Sequence, residues 1–422
     1  MASPLLSYEE AAAIVERRAA VIHERVCGTE RVSLLDGCGR VLSKPVSADA
    51  DQPEFPRSTR DGFACRAEEA MRFEWMPVAG STHAGQAPAG PVPAGACWEI
   101  MTGAPVPEGA DAVVMLEHVE REGESIRLQT GRKLRSGDNV VARGTQARKG
   151  DVLLPAGVRI DAPQLALAAT CGAAELEVYR RPRVAILTTG DELVPVEAVP
   201  GPGQIRNSNA VMLAALVAKA GGEPWILPSA ADTADALDLA LRDALKADMV
   251  LVSGGVSAGK FDLVEPALEK LGAQFHFTGI RIQPGKPLVF GEAVRAEDST
   301  RSAARVVPFF GLPGNPISSA VTFLLFASTI VGALAGSMEA SPRFVLAELA
   351  EGTRGRGNAG LTRFFPARCE FDRPPGKLPQ VATVPWQGSG DLAAFGHSNC
   401  CVVVPEGTAS LDAGAVVRVL LI

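Results

Sequence analysis

The chain has 422 residues, with 41 Lys and Arg against 48 Asp and Glu and a formal net charge of −7. That length exceeds one ordinary core and predicts about two to four domains. The acidic balance, without a long basic run, argues against a nucleic-acid partner. An anionic substrate must therefore be drawn in by local groups against the overall field. With 47% apolar and 21% charged residues, the composition is that of a folded soluble protein. The 8 cysteines (Cys27, Cys38, Cys65, Cys97, Cys171, Cys369, Cys400 and Cys401) form no C-x-x-C. That pattern gives neither a zinc ribbon nor a redox pair and fits reduced, cytoplasmic thiols. The N-terminus does not read as a signal peptide. The longest apolar run, residues 317–334, contains Ser318, Ser319, Thr322, Ser328 and Thr329. It reads as a buried helix rather than a membrane span, so no membrane partner is expected.

In chain order, Ser7 and Glu10 form a capping-box pattern, and Ala11, Ile14, Val15, Ala19 and Ile22 follow at helical spacing. "RVSLLDGCGRVL" reads as strand, turn and strand. Over residues 51–138, Pro and Gly are dense and apolar runs are short ("AGQAPAGPVPAGACWEIMTGAPVPEGADAVVM"), the texture of a small β-rich domain. Residues 139–182 return to strands and a short helix near 164–170. Residues 1–50 and 139–182 are thus expected to form one N-terminal α+β domain, with 51–138 inserted into it. Residues 183–338 alternate "RVAILTTG", a helix over 209–220, "PWILPSA", a helix over 234–246, "DMVLVSGG" and a helix over 262–271. "PLVFG", "VVPFFGLPG" and a helix from Pro316 complete that stretch. Such alternation predicts a three-layer α/β domain around a parallel sheet. Residues 339–422 read as a C-terminal, barrel-like β domain.

Ligands of such sheets bind beyond the carboxyl ends of the strands. That rim would gather Thr188, Thr189, Gly190, Asp191 and Glu192, then Asp232, then "SGGVSAGKFD", "QPGKP" and "LPGNP". "SGGVSAGKF" (253–261) matches G-x-x-x-x-G-K, but Phe261 stands where Ser or Thr would hold the magnesium of a nucleoside triphosphate, which argues against a P-loop ATPase. Ser253, Gly254, Gly255 and Ser257 make either a tight turn or a loop whose N–H groups approach a phosphate. Asp191 and Glu192 suit a magnesium or general-base pair. Asp232 fits that site or an N-cap, and Asp262 fits a ligand contact or a first-turn complement to a helix dipole. In "QPGKP" and "LPGNP" two prolines stiffen each loop. Lys286 and Asn315 would then have little entropy left to lose on binding. Lys286 suits a compact oxyanion, and Pro316 at a helix start would leave N–H groups near Ser318 open to an anion. The alternative is two rigid turns without a ligand.

"TTGDEL", "SGGVSAGKFD", "QPGKPLVFG" and "GLPGNPISS", in that order, resemble the molybdopterin molybdenumtransferase family (MoeA and the C-terminal domain of gephyrin). "STRDGFACR", "IMTGAPVPEGADAVVMLE" and "QGSGDL" are similar to further motifs of that family, so the resemblance covers nearly the whole chain. It implies four domains and an elongated homodimer with its active site between subunits. It implies a transferase of molybdenum cofactor biosynthesis that takes adenylylated molybdopterin and molybdate, releases AMP and requires Mg²⁺. Residue by residue, it implies that Asp61 and Thr102 project towards the partner's site and that Asp61, Glu192, Asp232 and Asp262 are catalytic. Asp191, Glu192 and Asp232 would be the magnesium ligands. Thr102, Thr189, Gly190, Ser253, Gly254, Gly255, Ser257, Pro313, Gly314, Asn315 and Pro316 would surround the pterin nucleotide. Lys286, Ser318, Gln283 and Ser389 would face molybdate. The adenylyltransferase that makes the adenylate and molybdoenzyme acceptors are the implied protein partners. The chain departs from the family pattern at Gln283, in place of a Lys, at Thr145-Gln146, in place of an acidic pair, and at Pro366, in place of an anion-binding Arg that Arg363 or Arg368 would have to replace. These departures bear on molybdate affinity and on the choice between molybdate and tungstate. Two other readings stand beside this one: a molybdopterin adenylyltransferase, whose family shows "GGTG" at Gly254-Gly255-Val256-Ser257, and a non-catalytic gephyrin-like scaffold.

Overall fold

The computed structural model describes residues 5–24, 28–255, 263–294, 306–337, 342–353 and 359–422. Ser257 and Asp262 lie outside the described residues. The chain divides into a larger unit (1–31, 39–43 and 177–422) and a smaller one (32–38 and 44–176).

The larger unit begins with α1 (Tyr8–His23). Its capping box forms as the sequence predicts: Glu10 N donates to Ser7 Oγ at 3.1 Å and Ser7 N donates to Glu10 Oε2 at 2.7 Å. A six-stranded sheet follows, built from β1 (Arg183–Thr188), β2 (Glu223–Ile226), β3 (Met249–Ser253), β4 (Gln274–Thr278), β5 (Val289–Val294) and β6 (Val306–Leu312). Their spatial order is β2-β1-β3-β6-β5-β4. The first four in that order run parallel, whereas β5 and β4 each pair antiparallel to their neighbours. The sheet is therefore mixed, where the alternating pattern predicted a parallel one. The reason lies in the connections. Helices α2 (Ser208–Lys219), α3 (Ala234–Ala244) and α4 (Val264–Lys270) follow β1, β2 and β3, but none stands between β4 and β5. A parallel return needs a crossover, usually a helix.

Strand periodicity of two then fills both faces. Val184 and Ile186 join Leu213, Val217 and Phe326 on one side; Ala185 and Leu187 join Leu237, Leu241 and Leu268 on the other. Each such buried Val, Leu or Phe contributes about 1.5–3 kcal/mol. The helix α5 spans Pro316–Leu334, with a π-helical turn at Phe323–Ala327. It is long and apolar enough to cross a membrane, but 83% of its apolar window is buried inside the protein, which makes it a core helix. The Tyr8 ring of α1 lies 5.9 Å from both Phe326 and Phe364. Arg18 adds a forked pair to Glu292 of β5, with Nη2 2.7 Å from each carboxylate oxygen.

The C-terminal strands are β7 (Phe344–Leu349), β8 (Thr362–Glu370), β9 (Gln380–Thr383), β10 (Cys400–Val404) and β11 (Val416–Leu421). They run in the order β8-β9-β7-β11-β10, and a pairing of β8 with β10 closes the ring. Closure into a barrel leaves none of these five as a free edge. The short strand Ile282–Gln283 pairs parallel onto β8, which brings the "QPGKP" loop beside the barrel.

The smaller unit contains a second six-stranded sheet, ordered Ala112–Met115, Gly62–Cys65, Cys97–Ile100, Met76–Thr82, Ser125–Leu128 and Val119–Glu122. Phe63, Val114 and Ile126 fill its core, and Trp98 Nε1 donates to Thr82 Oγ1 at 2.7 Å.

Candidate active site

The register of the parallel strands sets the site. Thr188 lies opposite Ser253, and Ser253 opposite Leu312, so β1, β3 and β6 end on one line. The loops leaving those ends must sit side by side, and a cavity of about 1220 Å³ opens among them. Glu192 reaches it from the loop after β1, Asp232 from the loop after β2, Gly254 and Gly255 from the turn after β3, and Pro313 to Pro316 from the loop after β6. Thr189, Gly190, Ser253, Gln283, Lys286, Ser318 and Ser389 line it as well. The sequence-predicted residues on different loops are thus brought together, with three exceptions among those described. Asp191 does not line the cavity, and Asp61 and Thr102 belong to the smaller unit.

Two glycines shape the floor. Gly254 has φ +99°, and a Cβ there would stand 2.8 Å from the Thr189 carbonyl oxygen. Gly190 has φ +141°, and a Cβ would stand 2.5 Å from Glu192 Oε2. Glycine at 190 is what allows the Glu192 carboxylate to fold over the main chain.

The acids are arranged less symmetrically than the sequence predicts. Thr233, not Asp232, caps α3, its side chain accepting from Ala236 N at 3.4 Å. That frees the Asp232 carboxylate for the cavity. Asp191 Oδ1 accepts the Asp232 N–H at 3.2 Å, so Asp191 serves the loop. Among the described residues no group of three or more His, Cys, Asp or Glu is placed to hold a metal, and the expected trio of magnesium ligands does not close. Burial first, and then the Asp191 carboxylate, pushes the Asp232 carboxyl above its usual range, with Glu192 adding to the effect.

The start of α5 also differs from expectation. Pro316 has no N–H, and the next donor, Ile317 N, gives its hydrogen to Ser389 O at 3.0 Å. Asn315 Nδ2 donates to Ser389 Oγ at 2.8 Å. The first turn near Ser318 is therefore partly capped by the loop between β9 and β10 rather than left open. That loop also brings Trp386, whose ring stands 6.3 Å from Phe365 at 62°, forming an apolar wall. Neither Arg363 nor Arg368, the two candidate anion-binding arginines, lines the cavity. Arg363 is buried in the barrel, where Nη2 donates to the carbonyls of Thr408 and Ala409, and Arg368 is exposed outside the cavity.

Sequence reasoning missed Arg206, Asn207 and Asn209, which all line the cavity. Asn207 caps α2 through Ala210 N at 3.1 Å and donates to Thr188 Oγ1 at 2.8 Å. Asn209 Nδ2 donates to Ser253 Oγ at 3.0 Å and to Gly314 O at 2.7 Å, latching the β3 turn to the proline-braced loop. A carbonyl can only accept, so the amide orientation is fixed and Oδ1 faces away from that latch. Asn209 Oδ1 is buried with no hydrogen-bond partner among the described residues, as are Thr189 Oγ1 and Gln283 Oε1. The signal was the "NSN" just before a helical period, which was legible only as a helix start. In the smaller unit Asp61 Oδ1 accepts from Thr102 N at 2.6 Å and Thr102 Oγ1 at 2.8 Å, which holds its carboxyl below the usual range.

A multidomain α/β protein with a polar cavity at the carboxyl rim of a mixed sheet and a closed β-barrel at its C-terminus is the class these features define. Family models match it in three consecutive parts: the MoeA N-terminal region (domain I and II) over 6–172, a probable molybdopterin binding domain over 185–333, and the MoeA C-terminal region (domain IV) over 349–422. The molybdopterin molybdenumtransferase of Bacillus subtilis (strain 168) is 36% identical over 415 residues, covering 93% of this chain and 90% of that protein. The Nostoc enzyme of the same name is 34% identical over 404 residues, covering 93% and 88%. A crystal structure of the molybdopterin biosynthesis MoeA protein of Pyrococcus horikoshii OT3 superposes with a TM-score of 0.78 at 26% identity, covering 99% of this chain and 100% of that one. The chain belongs to the MoeA family of molybdopterin molybdenumtransferases, the transferases that insert molybdenum in molybdenum cofactor biosynthesis.

Proposed function

We propose that the rim cavity takes adenylylated molybdopterin together with molybdate, cleaves the adenylate to AMP and sets molybdenum on the dithiolene. One observation carries this reading: Glu192, Asp232 and Lys286, drawn from three separate loops, line one cavity with the Gly254-Gly255 turn and both Pro-Gly-x-Pro loops. Bare glycines let phosphate oxygens approach main-chain N–H groups. Phe365 and Trp386 offer flat apolar faces to a heterocycle. Lys286 supplies a point charge for a compact dianion, and Gln283, Ser318 and Ser389 supply neutral hydrogen-bonding groups beside it. Water adds across the P–O–P bond, AMP leaves with one phosphate and molybdopterin keeps the other. The two dithiolene thiols then form two Mo–S bonds while one molybdate oxygen leaves as water, taking both thiol protons.

Glu192 and Asp232 fit a magnesium ion. They are two hard oxygen donors with no ion pair among the described residues, and this cation commonly takes one or two carboxylates and completes its shell with water and substrate phosphates. When bound, it neutralises phosphate charge and polarises the bond to be broken. The same reading includes a cytoplasmic homodimer to which Asp61 and Thr102 contribute across the subunit boundary, and a division into 1–50 with 139–182, 51–138, 183–338 and 339–422.

The test is molybdate-dependent release of AMP from adenylylated molybdopterin, with formation of active cofactor. Lys286→Ala should weaken molybdate about ten- to a hundredfold; unchanged insertion at limiting molybdate rejects that role for Lys286. Adenylate formation from ATP and molybdopterin would mark the adenylyltransferase instead, which the match to molybdenumtransferases over 93% of the chain does not favour.

A further inference from the structure

Among the described residues, four charged side chains line the cavity: the acids Glu192 and Asp232, and the cations Lys286 and Arg206. Glu192 and Arg206 are delivered by the same small ribbon, in which Leu193–Val194 pairs parallel with Ile205–Arg206. It is closed at each end by Ile205 N donating to Glu192 O and Asn207 N donating to Val194 O, both at 2.9 Å. The connecting loop is folded on itself, with Ala198 N donating to Pro195 O at 3.1 Å and Gln204 N to Gly201 O at 3.0 Å. Arg206 Nε donates to Val196 O at 2.9 Å and to Ala198 O at 3.1 Å. That leaves Nη1 and Nη2 without a hydrogen bond, and the guanidinium without a carboxylate partner, among the described residues.

This arrangement separates the two halves of one side chain. The inner nitrogen is anchored to carbonyls of an internally bonded loop, so the guanidinium has already lost much of its rotamer freedom. The outer nitrogens keep two parallel donors, the geometry that matches two oxygens of one phosphate. Lys286 cannot duplicate this, because an ammonium is a single point of charge. We propose that Arg206 is the phosphate-binding residue of the cavity: Nη1 and Nη2 donate to oxygens of the adenylate's phosphate while Nε stays on its loop, and molybdate is left to Lys286. This division of labour rests on the adenylate reading of the cavity.

The experiment compares AMP with adenosine, which lacks only the phosphate, on wild-type protein, Arg206→Ala and Arg206→Lys, with bound ligand measured at equilibrium. In the wild type AMP binds more tightly than adenosine, and the difference shrinks as salt rises. In Arg206→Ala, AMP weakens about ten- to a hundredfold, adenosine is unchanged, and molybdate binding is unchanged. Arg206→Lys recovers only part of the AMP loss. Equal losses for AMP and adenosine would show a structural role and overturn the proposal, as would an Arg206→Ala protein that keeps full preference for AMP. A wild type with no preference for AMP overturns it without any variant. A wild type that prefers AMP through Arg206 but releases none from the adenylate with molybdate overturns the functional reading and leaves Arg206 in place.

Discussion

Arg363 in the barrel and Arg206 at the cavity are the same side chain put to opposite uses. Arg363 is 1% exposed, gives its Nη2 to two carbonyls and lies 5.6 Å from the Phe365 ring centroid. Arg206 is exposed, lines the cavity and, among the described residues, spends only Nε on the protein. The surroundings follow the same division. The barrel closes its strands into a ring, whereas Thr189 Oγ1, Asn209 Oδ1 and Gln283 Oε1, on residues lining the cavity, are buried with no hydrogen-bond partner among the described residues. A buried unpaired polar group costs about 1–3 kcal/mol. Three such atoms on residues that line the cavity lower stability locally, whereas the Arg363 Nη2 is spent on carbonyls of the barrel.

Substitutions can break that contrast. The largest effect is expected from Arg363→Ala, which removes a filled volume and strips the Thr408 and Ala409 carbonyls of their donor. Stability should fall by about 3–5 kcal/mol in urea unfolding, while AMP affinity of the folded protein stays unchanged; a silent substitution would end the barrel's side of the comparison. Gly254→Ala comes next. Its φ of +99° and the 2.8 Å approach to Thr189 O should cost about 1–3 kcal/mol, and AMP affinity should fall with it because the turn moves. Asn209→Ala sharpens the contrast further. It deletes two hydrogen bonds but also an unpartnered oxygen, so stability should stay within about 1 kcal/mol of wild type while affinity for the adenylate drops. An equal loss of both would make Asn209 an ordinary structural residue.

The cavity was legible in the sequence wherever chemistry sits in a short motif at a strand end. Glu192, Asp232, the paired glycines and both proline-braced loops follow directly from strand-end geometry and backbone restriction. Arg206 and Asn209 were not legible, because their partners are carbonyls and hydroxyls of other loops. Asn209 reaches Ser253 and Gly314, 44 and 105 residues away. The capped start of α5 was hidden for the same reason, since Asn315 and Ser389 are 74 residues apart. Propensity predicts that a helix begins at Pro316 but not what arrives at its end. In the sheet, the alternation of strand and helix showed three layers; the antiparallel β4 and β5 depended on a missing crossover helix, which the apolar pattern of the strands does not report.

The smallest expected effect compares two carboxyls held in opposite directions. Asp61 accepts two hydrogen bonds from Thr102, the main-chain N–H being the larger influence and the hydroxyl the second, and its carboxyl lies below the ordinary 3.8. Asp232 lies above it, through burial first and Asp191 second. Thr102→Val removes the hydroxyl and keeps the N–H, so Asp61 should move up but stay below 3.8. Asp191→Asn removes a like charge, so Asp232 should move down. Carboxyl-carbon NMR titration of the two variants reads both. For Asp61 the linkage sign follows: a depressed folded pKa adds stability that is present above 3.8 and is lost as pH falls through the folded value. Thr102→Val should therefore trim stability at neutral pH and flatten its acid dependence below 3.8. If Asp61 failed to move up, pairing with the Thr102 hydroxyl would not be its cause, and if Asp232 failed to move down, crowding by Asp191 would not be its cause; either failure would keep the contrast from extending to these acids.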